Sequence, residues 1–252
     1  MDLIEIILRE EIEFPKIFAS WVERDDCILF YNENEKESND SNHAILYPEK
    51  VLDMDATIGE ITNFYLDKGI APMIYSPLID GYMEKHRGLF ESHGYTIEHY
   101  GNTCFMILMQ DNIIRIDSRL DIVRLHEWDD RIGDQIFIPN GESREIAVMK
   151  NGLRHANFYL FAGYLNGVAV TTVYFHVSEY GCTRFDYIVT AKEYMQHGYA
   201  REILSFVVEY CRKNNLPNCY QWPAHATSER ICYEAGFRAL FHREAGCAVY
   251  NP

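Results

Sequence analysis

The stretch FDYIVTAKEYMQHGYAREILSFVVEY, residues 185–210, constrains the fold more than any other part of this 252-residue chain. It opens as a strand, passes through a short loop and enters a helix at Gly198. In that helix Ala200, Ile203, Leu204, Val207, Val208 and Cys211 fall at i, i+3, i+4, i+7, i+8 and i+11, a continuous apolar stripe that must pack on a sheet. Gly198, with the small Ala200 two positions on, opens the helix. A junction of this kind leaves backbone N–H groups free at the positive end of the helix dipole, where a pyrophosphate can be held.

The neighbouring segments supply the sheet. NFYLFAGYL and VAVTTVYFHV meet across Asn166-Gly167, a dipeptide suited to a two-residue hairpin because both positions tolerate positive φ. A turn at 179–181 leads to a third strand, CTRFDYIVT, and so to an antiparallel meander. After the helix, Pro217 precedes a strand CYQWP, a short helix SERICYEAG and a final pair of strands between Phe237 and Tyr250. The first half predicts a helix through LIEIILREEIEFPKIFASWVE, broken or kinked near Pro15. Strands CILFY and HAILY follow around the polar loop NENEKESNDSN, then a helix over TIGEITNFYLDKG, a strand APMIY, and a helix ending at Gly94-Tyr95 where a strand begins. ITNFYLDKGIAPMIYSP parallels FVVEYCRKNNLPNCYQWP, and LFESHGY parallels ICYEAGF, so the chain reads as two copies of one α/β unit. The expected class is α/β, in the α+β mixed-sheet sense, with domains at 1–110 and 111–252.

Composition narrows the function. Apolar residues make up 48% and aromatics 14%, enough for packed cores. No apolar run approaches the roughly 18–20 residues that cross a bilayer, and the N-terminal segment carries Glu and Arg where a signal peptide is apolar, so the expectation is a cytoplasmic protein that is neither membrane-spanning nor secreted. Seven cysteines without C-x-x-C spacing argue against a disulfide framework and a zinc knuckle; no metal is expected. A net charge of −15 disfavours nucleic acid and anionic membranes as partners. The charge is uneven: residues 1–110 carry 8 basic and 21 acidic groups, a net of −13, against −2 for the rest. This charge suits either solubility or the attraction of a cationic ligand.

The order hairpin, strand, Gly198 loop, stripe helix, strand, short helix and Gly236-Phe237 resembles the GCN5-related N-acetyltransferase superfamily. That superfamily carries V-x-P-x-Y-R-G-K-G-x-G/A before a helix and later S-x-R-x-x-x-x-x-G-F; here the two read TAKEYMQHGYA and SERICYEAGF, over roughly residues 112–252. Met195 stands where the family usually has Arg or Gln, and Lys192 where it has Pro. The resemblance implies an acyl-CoA transferase fold in the C-terminal half and a partial, degenerate copy in the N-terminal half. In that copy Phe90 stands where Cys232 lies, and LDMDATIGE has no glycine at the loop position. A second cofactor site is therefore not expected.

The resemblance implies acetyl-CoA as cosubstrate. Its pyrophosphate would lie on the main chain of Met195, Gln196, His197, Gly198, Tyr199, Ala200 and Arg201, with Gln196, His197 and Arg201 as side-chain donors. The strand Tyr187 to Thr190 would splay from its neighbour, and the amides of Ile188, Val189 and Thr190 would face the pantetheine arm and the thioester carbonyl. Strand alternation places Arg184, Asp186, Ile188 and Thr190 on one face, making Asp186 the candidate base or water-orienting group, or else an ion-pair partner of Arg184. At the family's proton-donor position stands Cys232, with Tyr233 beside it. Either Cys232 donates, Tyr233 reaches in through an altered turn, or no side chain serves. The expected activity is transfer of acetyl to the amine of a small molecule by direct attack, with a cationic acceptor favoured by the acidic balance and a homodimer as an allowed assembly. The alternatives are a non-catalytic acyl-CoA or ligand-sensing module on the same fold, and a transferase using another acyl or aminoacyl donor.

Overall fold

The computed structural model describes residues 2–109 and 117–251. The expected domain boundary at 110/111 lies outside the described residues. Two compact units are present, one drawn from residues 1–10 and 104–241, the other from 11–103 and 242–252. Each is mixed α/β.

In chain order the elements begin with helix α1 (Leu3–Glu13), strands β1 (Ser20–Glu23), β2 (Cys27–Tyr31) and β3 (His43–Leu46), helix α2 (Met54–Asp67), strand β4 (Met73–Tyr75), helices α3 (Tyr82–Lys85) and α4 (Arg87–Ser92), and strand β5 (Tyr95–Leu108). Then come β6 (Asp121–Leu125), α5 (Asp130–Ile132), α6 (Ile138–Asn140), α7 (Glu145–Gly152), β7 (Phe158–Leu165), β8 (Val168–Val177) and β9 (Thr183–Thr190). The chain closes with α8 (Tyr199–Lys213), β10 (Cys219–Gln221), α9 (Ala226–Glu234) and β11 (Phe237–Tyr250).

In the unit containing residues 11–103 the strand order is β1-β2-β3-β4-β11. β3 and β4 are parallel, joined through α2, and the rest are antiparallel. Two expectations fail here. The segment SWVE is not helical: Pro15 is the second residue of a 3-10 turn, Phe14–Ile17, that ends α1, and Ser20–Glu23 then pairs with Tyr31–Ile28 as an exposed strand. The last segment is one 14-residue strand rather than a pair. Gly246 serves close approach there, since a Cβ on it would lie 2.4 Å from the carbonyl oxygen of Glu98. Helix α2 starts at Met54, three residues before Thr57, because the Asp53 carboxylate accepts from the Ala56 N–H at 3.1 Å and caps it.

In the unit containing residues 104–241 the order is β5-β10-β9-β8-β7-β6. The hairpin forms as expected, with Asn166 at φ 51° and Gly167 at φ 86°. β9 and β10 are parallel, joined through α8, repeating the strand–helix–parallel-strand order of β3, α2 and β4. The α8 stripe is buried: Ile203, Leu204, Val207, Val208 and Cys211 are each at most 1% exposed and pack on Phe161, Val173, Phe175 and Phe185. Each apolar side chain so buried contributes roughly 1.5–3 kcal/mol, which fixes the helix on the sheet. Ala200, the first residue of the predicted stripe, is only half-buried, and Tyr199 is buried instead. The sequence reading offered no counterpart to the helical run from Asp130 to Asn140, which includes a π-type turn at Gly133–Phe137, nor to α7.

Candidate active site at the head of α8

The site begins where two parallel strands part. β10 pairs with β9 at Cys219↔Thr183 and Tyr220↔Arg184, and the pairing stops there. From Phe185 onward β9 is paired through β8 alone. This is the splay expected of a strand that is to receive an extended ligand on its open edge.

β9 also carries a bulge. Thr172 is opposite Val189 and Tyr174 opposite Asp186, so an extra residue is accommodated at Tyr187–Ile188, and Tyr187 takes φ 45°. The bulge overturns the predicted face. Past it the alternation reverses, so Arg184 and Asp186 share a side with Val189, while Ile188 turns toward the apolar cluster under α8. Tyr187 is held out of ordinary strand geometry by ring contacts with Phe137 and Tyr174, at centroid distances of 6.1 and 6.5 Å. The end of β9 is finished by Asn140, which the sequence reading did not single out. Its Nδ2 donates to the Thr190 carbonyl at 3.1 Å and its Oδ1 accepts from the Lys192 N–H at 2.9 Å.

The loop into α8 has the geometry its glycine suggested. Gln196 lies at φ 65° and Gly198, the N-cap, at φ 88°, with no side chain capping the helix. The N–H groups of the first turn are therefore unclaimed by a cap, in contrast to α2, whose head is filled by Asp53. Met195 and His197 are exposed; the His197 ring stacks on Tyr199 at 5.8 Å, with Nδ1 2.8 Å from the Met195 carbonyl. Arg201 is ion-paired with Glu234 on α9, so its guanidinium is committed.

A residue the sequence reading missed stands at this head. Arg119 donates to the His197 carbonyl, lies 4.7 Å over the Tyr199 ring and is ion-paired with Glu202, which is 4% exposed. Glu202 also accepts from the Arg119 N–H at 2.8 Å. Arg119 thus brings to the helix head the cation that the loop lacks at Met195. No local signal could have shown this, because the pairing spans 83 residues.

The candidate acid–base groups are placed unevenly. The Asp186 carboxylate is ion-paired with Arg184, itself buried, and its Oδ1 accepts from the Tyr187 N–H at 2.7 Å. Cys232 is 1% exposed and belongs to the core beneath α8. Burial pushes its thiol up to about 12, with the Glu229 charge adding to the rise and the Gln221 amide tempering it. Tyr233 is 56% exposed and turned outward, with the Arg238 guanidinium 3.8 Å above its ring. Beside Cys232, on the last residue of β10, Gln221 is 6% exposed and its Nε2 meets no oxygen or nitrogen acceptor, only the weakly accepting Cys232 sulfur. Among the described residues no group of three or more His, Cys, Asp or Glu side chains could hold a metal ion.

Two observations bear on whether these residues suit a CoA-type ligand. The uncapped helix head at Gly198 is a place for a pyrophosphate, and the Gln221 amide, buried where β10 leaves β9 with only the Cys232 sulfur near it, is a donor in want of a stronger acceptor. Both fit.

No protein-family model matches the chain, and no curated protein matches it in sequence. Solved structures do match in shape. A GCN5-related N-acetyltransferase from Kribbella flavida superposes with a TM-score of 0.72 at 10% identity, over 100% of this chain and 97% of that one. One from Sphaerobacter thermophilus gives 0.58 at 10% identity, over 95% and 85%. A tandem GNAT protein from the clavulanic acid biosynthesis pathway gives 0.54 at 9% identity, over 83% and 76%. The chain has the fold of the GCN5-related N-acetyltransferases. No helix among the described residues is long and apolar enough to cross a membrane.

Proposed function

We propose that the chain is an acetyl-CoA-dependent N-acetyltransferase acting on the amine of a small molecule. The observation that carries this reading is the parting of β9 from β10 after Arg184, directly upstream of an uncapped helix head at Gly198. Acetyl-CoA bound there supplies the acetyl group as a thioester. The main chain from Met195 to Arg201 holds the pyrophosphate, with Arg119 beside it, and the open edge of β9 at Ile188 to Thr190 aligns the pantetheine arm. Holding an amine against the thioester provides most of the acceleration, through proximity and orientation. The acceptor is a small amine, with a cationic one favoured by the net charge of −15.

A second reading, a module that binds acyl-CoA without turnover, is favoured by one observation: neither Cys232 nor Tyr233 sits ready as the acid. Cys232, at about 12, would have to protonate a thiolate whose ordinary value is about 8.5, an uphill transfer of roughly 5 kcal/mol, and Tyr233 faces away. If the chain is an enzyme, water protonates the leaving thiolate. Calorimetric titration with acetyl-CoA and CoA, followed by thiol release across a panel of amines, separates the readings. Binding with turnover supports the transferase, binding without turnover the sensor, and no binding defeats both.

A further inference from the structure

A second concavity lies in the unit of residues 104–241, at the other end of its strands. Phe158, at the start of β7, is opposite His176 on β8, whereas Thr190, leading to the α8 loop, is opposite Thr171. Five residues of strand separate the two, roughly 17 Å. The concavity has a volume of about 340 Å³ and is lined by Arg124 and His126 at the end of β6 and by Arg154 and His155 after α7, with Leu125 and Phe158 among its apolar walls.

Its charge is out of keeping with the chain. The protein carries −15 overall, and Arg24, Arg87, Arg119, Arg131, Arg184, Arg201 and Arg230 each have a carboxylate partner. At this concavity two arginines and two histidines converge, no carboxylate lines the wall, and none of the four has a carboxylate partner among the described residues. Arg124 is moreover fixed in place. Its guanidinium lies 3.9 Å over the Tyr159 ring, one terminal nitrogen donates to the Tyr210 hydroxyl at 3.2 Å, and its Nε is buried with no acceptor. A guanidinium already pinned by aromatic groups loses little freedom when it binds, and its planar donors suit a two-oxygen acceptor. Leaving its buried donor unmet is unfavourable, and an incoming acceptor would relieve it.

We propose that Arg124, His126, Arg154 and His155 form a binding site for a compact oxyanion, a phosphate monoester or a dicarboxylate, separate from the site at the head of α8. Arg124 is the preorganised anchor, Arg154 the exposed second cation, and the two imidazoles are flanking donors.

The test is calorimetric titration of the full chain with inorganic phosphate and with malonate, at constant ionic strength. Three proteins are compared: the unaltered chain, Arg154→Glu and Gly198→Val. Arg154 is exposed, so its replacement spares the fold, and acetyl-CoA affinity should not change. The expected result is saturable binding of one anion that weakens at least tenfold in Arg154→Glu and persists in Gly198→Val. Tighter phosphate than malonate identifies a phosphorylated ligand, and the reverse a dicarboxylate. The proposal is overturned if neither anion binds, if Arg154→Glu binds as tightly as the unaltered chain, or if binding is lost only in Gly198→Val, which would place the anion at the α8 loop.

Discussion

Replacing Gln221 by Leu should make the protein more stable. The side chain is 6% exposed, its Nε2 finds no acceptor stronger than the Cys232 sulfur, and it sits where β10 has just stopped pairing with β9. An unsatisfied buried donor costs about 1–3 kcal/mol, and a leucine of similar volume removes the donor without opening a large cavity. A gain of about 1–2 kcal/mol follows, which for a chain of this size corresponds to a rise of roughly 3–6 °C in Tm. The same change should weaken acetyl-CoA binding by about 3- to 10-fold if the amide meets an acceptor on the pantetheine arm, the worth of one neutral hydrogen bond. Thermal unfolding followed by circular dichroism, with calorimetry for acetyl-CoA, measures both in one preparation. A variant that melts at or below the unaltered protein refutes the reasoning, because the amide would then already be satisfied. A variant that is more stable and binds acetyl-CoA unchanged would leave the buried amide without a role where β9 and β10 part.

Gly198→Val should lower acetyl-CoA affinity at least tenfold while the protein stays folded: φ 88° disfavours a side chain by about 1–2 kcal/mol, yet the nearest atom to a new Cβ, on Arg119, is 3.8 Å away. Unchanged affinity in calorimetry would remove the pyrophosphate from this loop. Asp186→Asn takes the carboxylate from its ion pair with the buried Arg184 and should cost about 1–3 kcal/mol of stability in urea titration. If Asp186 is also the base, turnover falls by roughly 10²-fold with acetyl-CoA affinity retained; stability loss with unchanged turnover reduces it to an ion-pair partner. Cys232→Ala and Tyr233→Phe should each leave turnover within about twofold, since one side chain is buried and pushed up to about 12 and the other faces solvent. A tenfold fall in either variant would reinstate that group as the proton donor.

The parts of the fold that were legible in the sequence are those specified locally. The Asn166-Gly167 hairpin needs only two residues that accept positive φ, and α8 needs only its period of apolar residues. SWVE was misjudged because apolar residues beside a helix fit a helical spacing until the 3-10 turn at Pro15 is seen to end it. The bulge at Tyr187 was invisible for a related reason. TRFDYIVT alternates well enough to pass for a regular strand, and only the register against Thr172 and Tyr174 shows the extra residue that sends Ile188 away from Asp186. Of the site, the glycine loop could be read but Arg119, Asn140 and Gln221 could not. Each acts through a partner distant in sequence or through the lack of one, and neither leaves a mark on spacing.

Arg119 and Glu202 also determine how the helix head should respond to an anion. Taken alone, a buried carboxylate in the first turn of α8 would repel a pyrophosphate; Arg119 cancels it, so attraction rests on the unclaimed N–H groups and the helix dipole. Arg119→Met should therefore act twice. It leaves Glu202, 4% exposed, with an uncompensated charge, costing about 1–3 kcal/mol of stability, and it places that charge beside the ligand, lowering acetyl-CoA affinity at least tenfold. Glu202→Gln has the opposite sign for binding, because it releases Arg119 to the ligand and removes the repulsion. If affinity falls in both variants, the pair merely holds residues 118–120 against α8. A rise in Glu202→Gln with a fall in Arg119→Met would show that this chain has moved its phosphate-facing cation from the loop, where Met195 stands, to a segment 76 residues earlier.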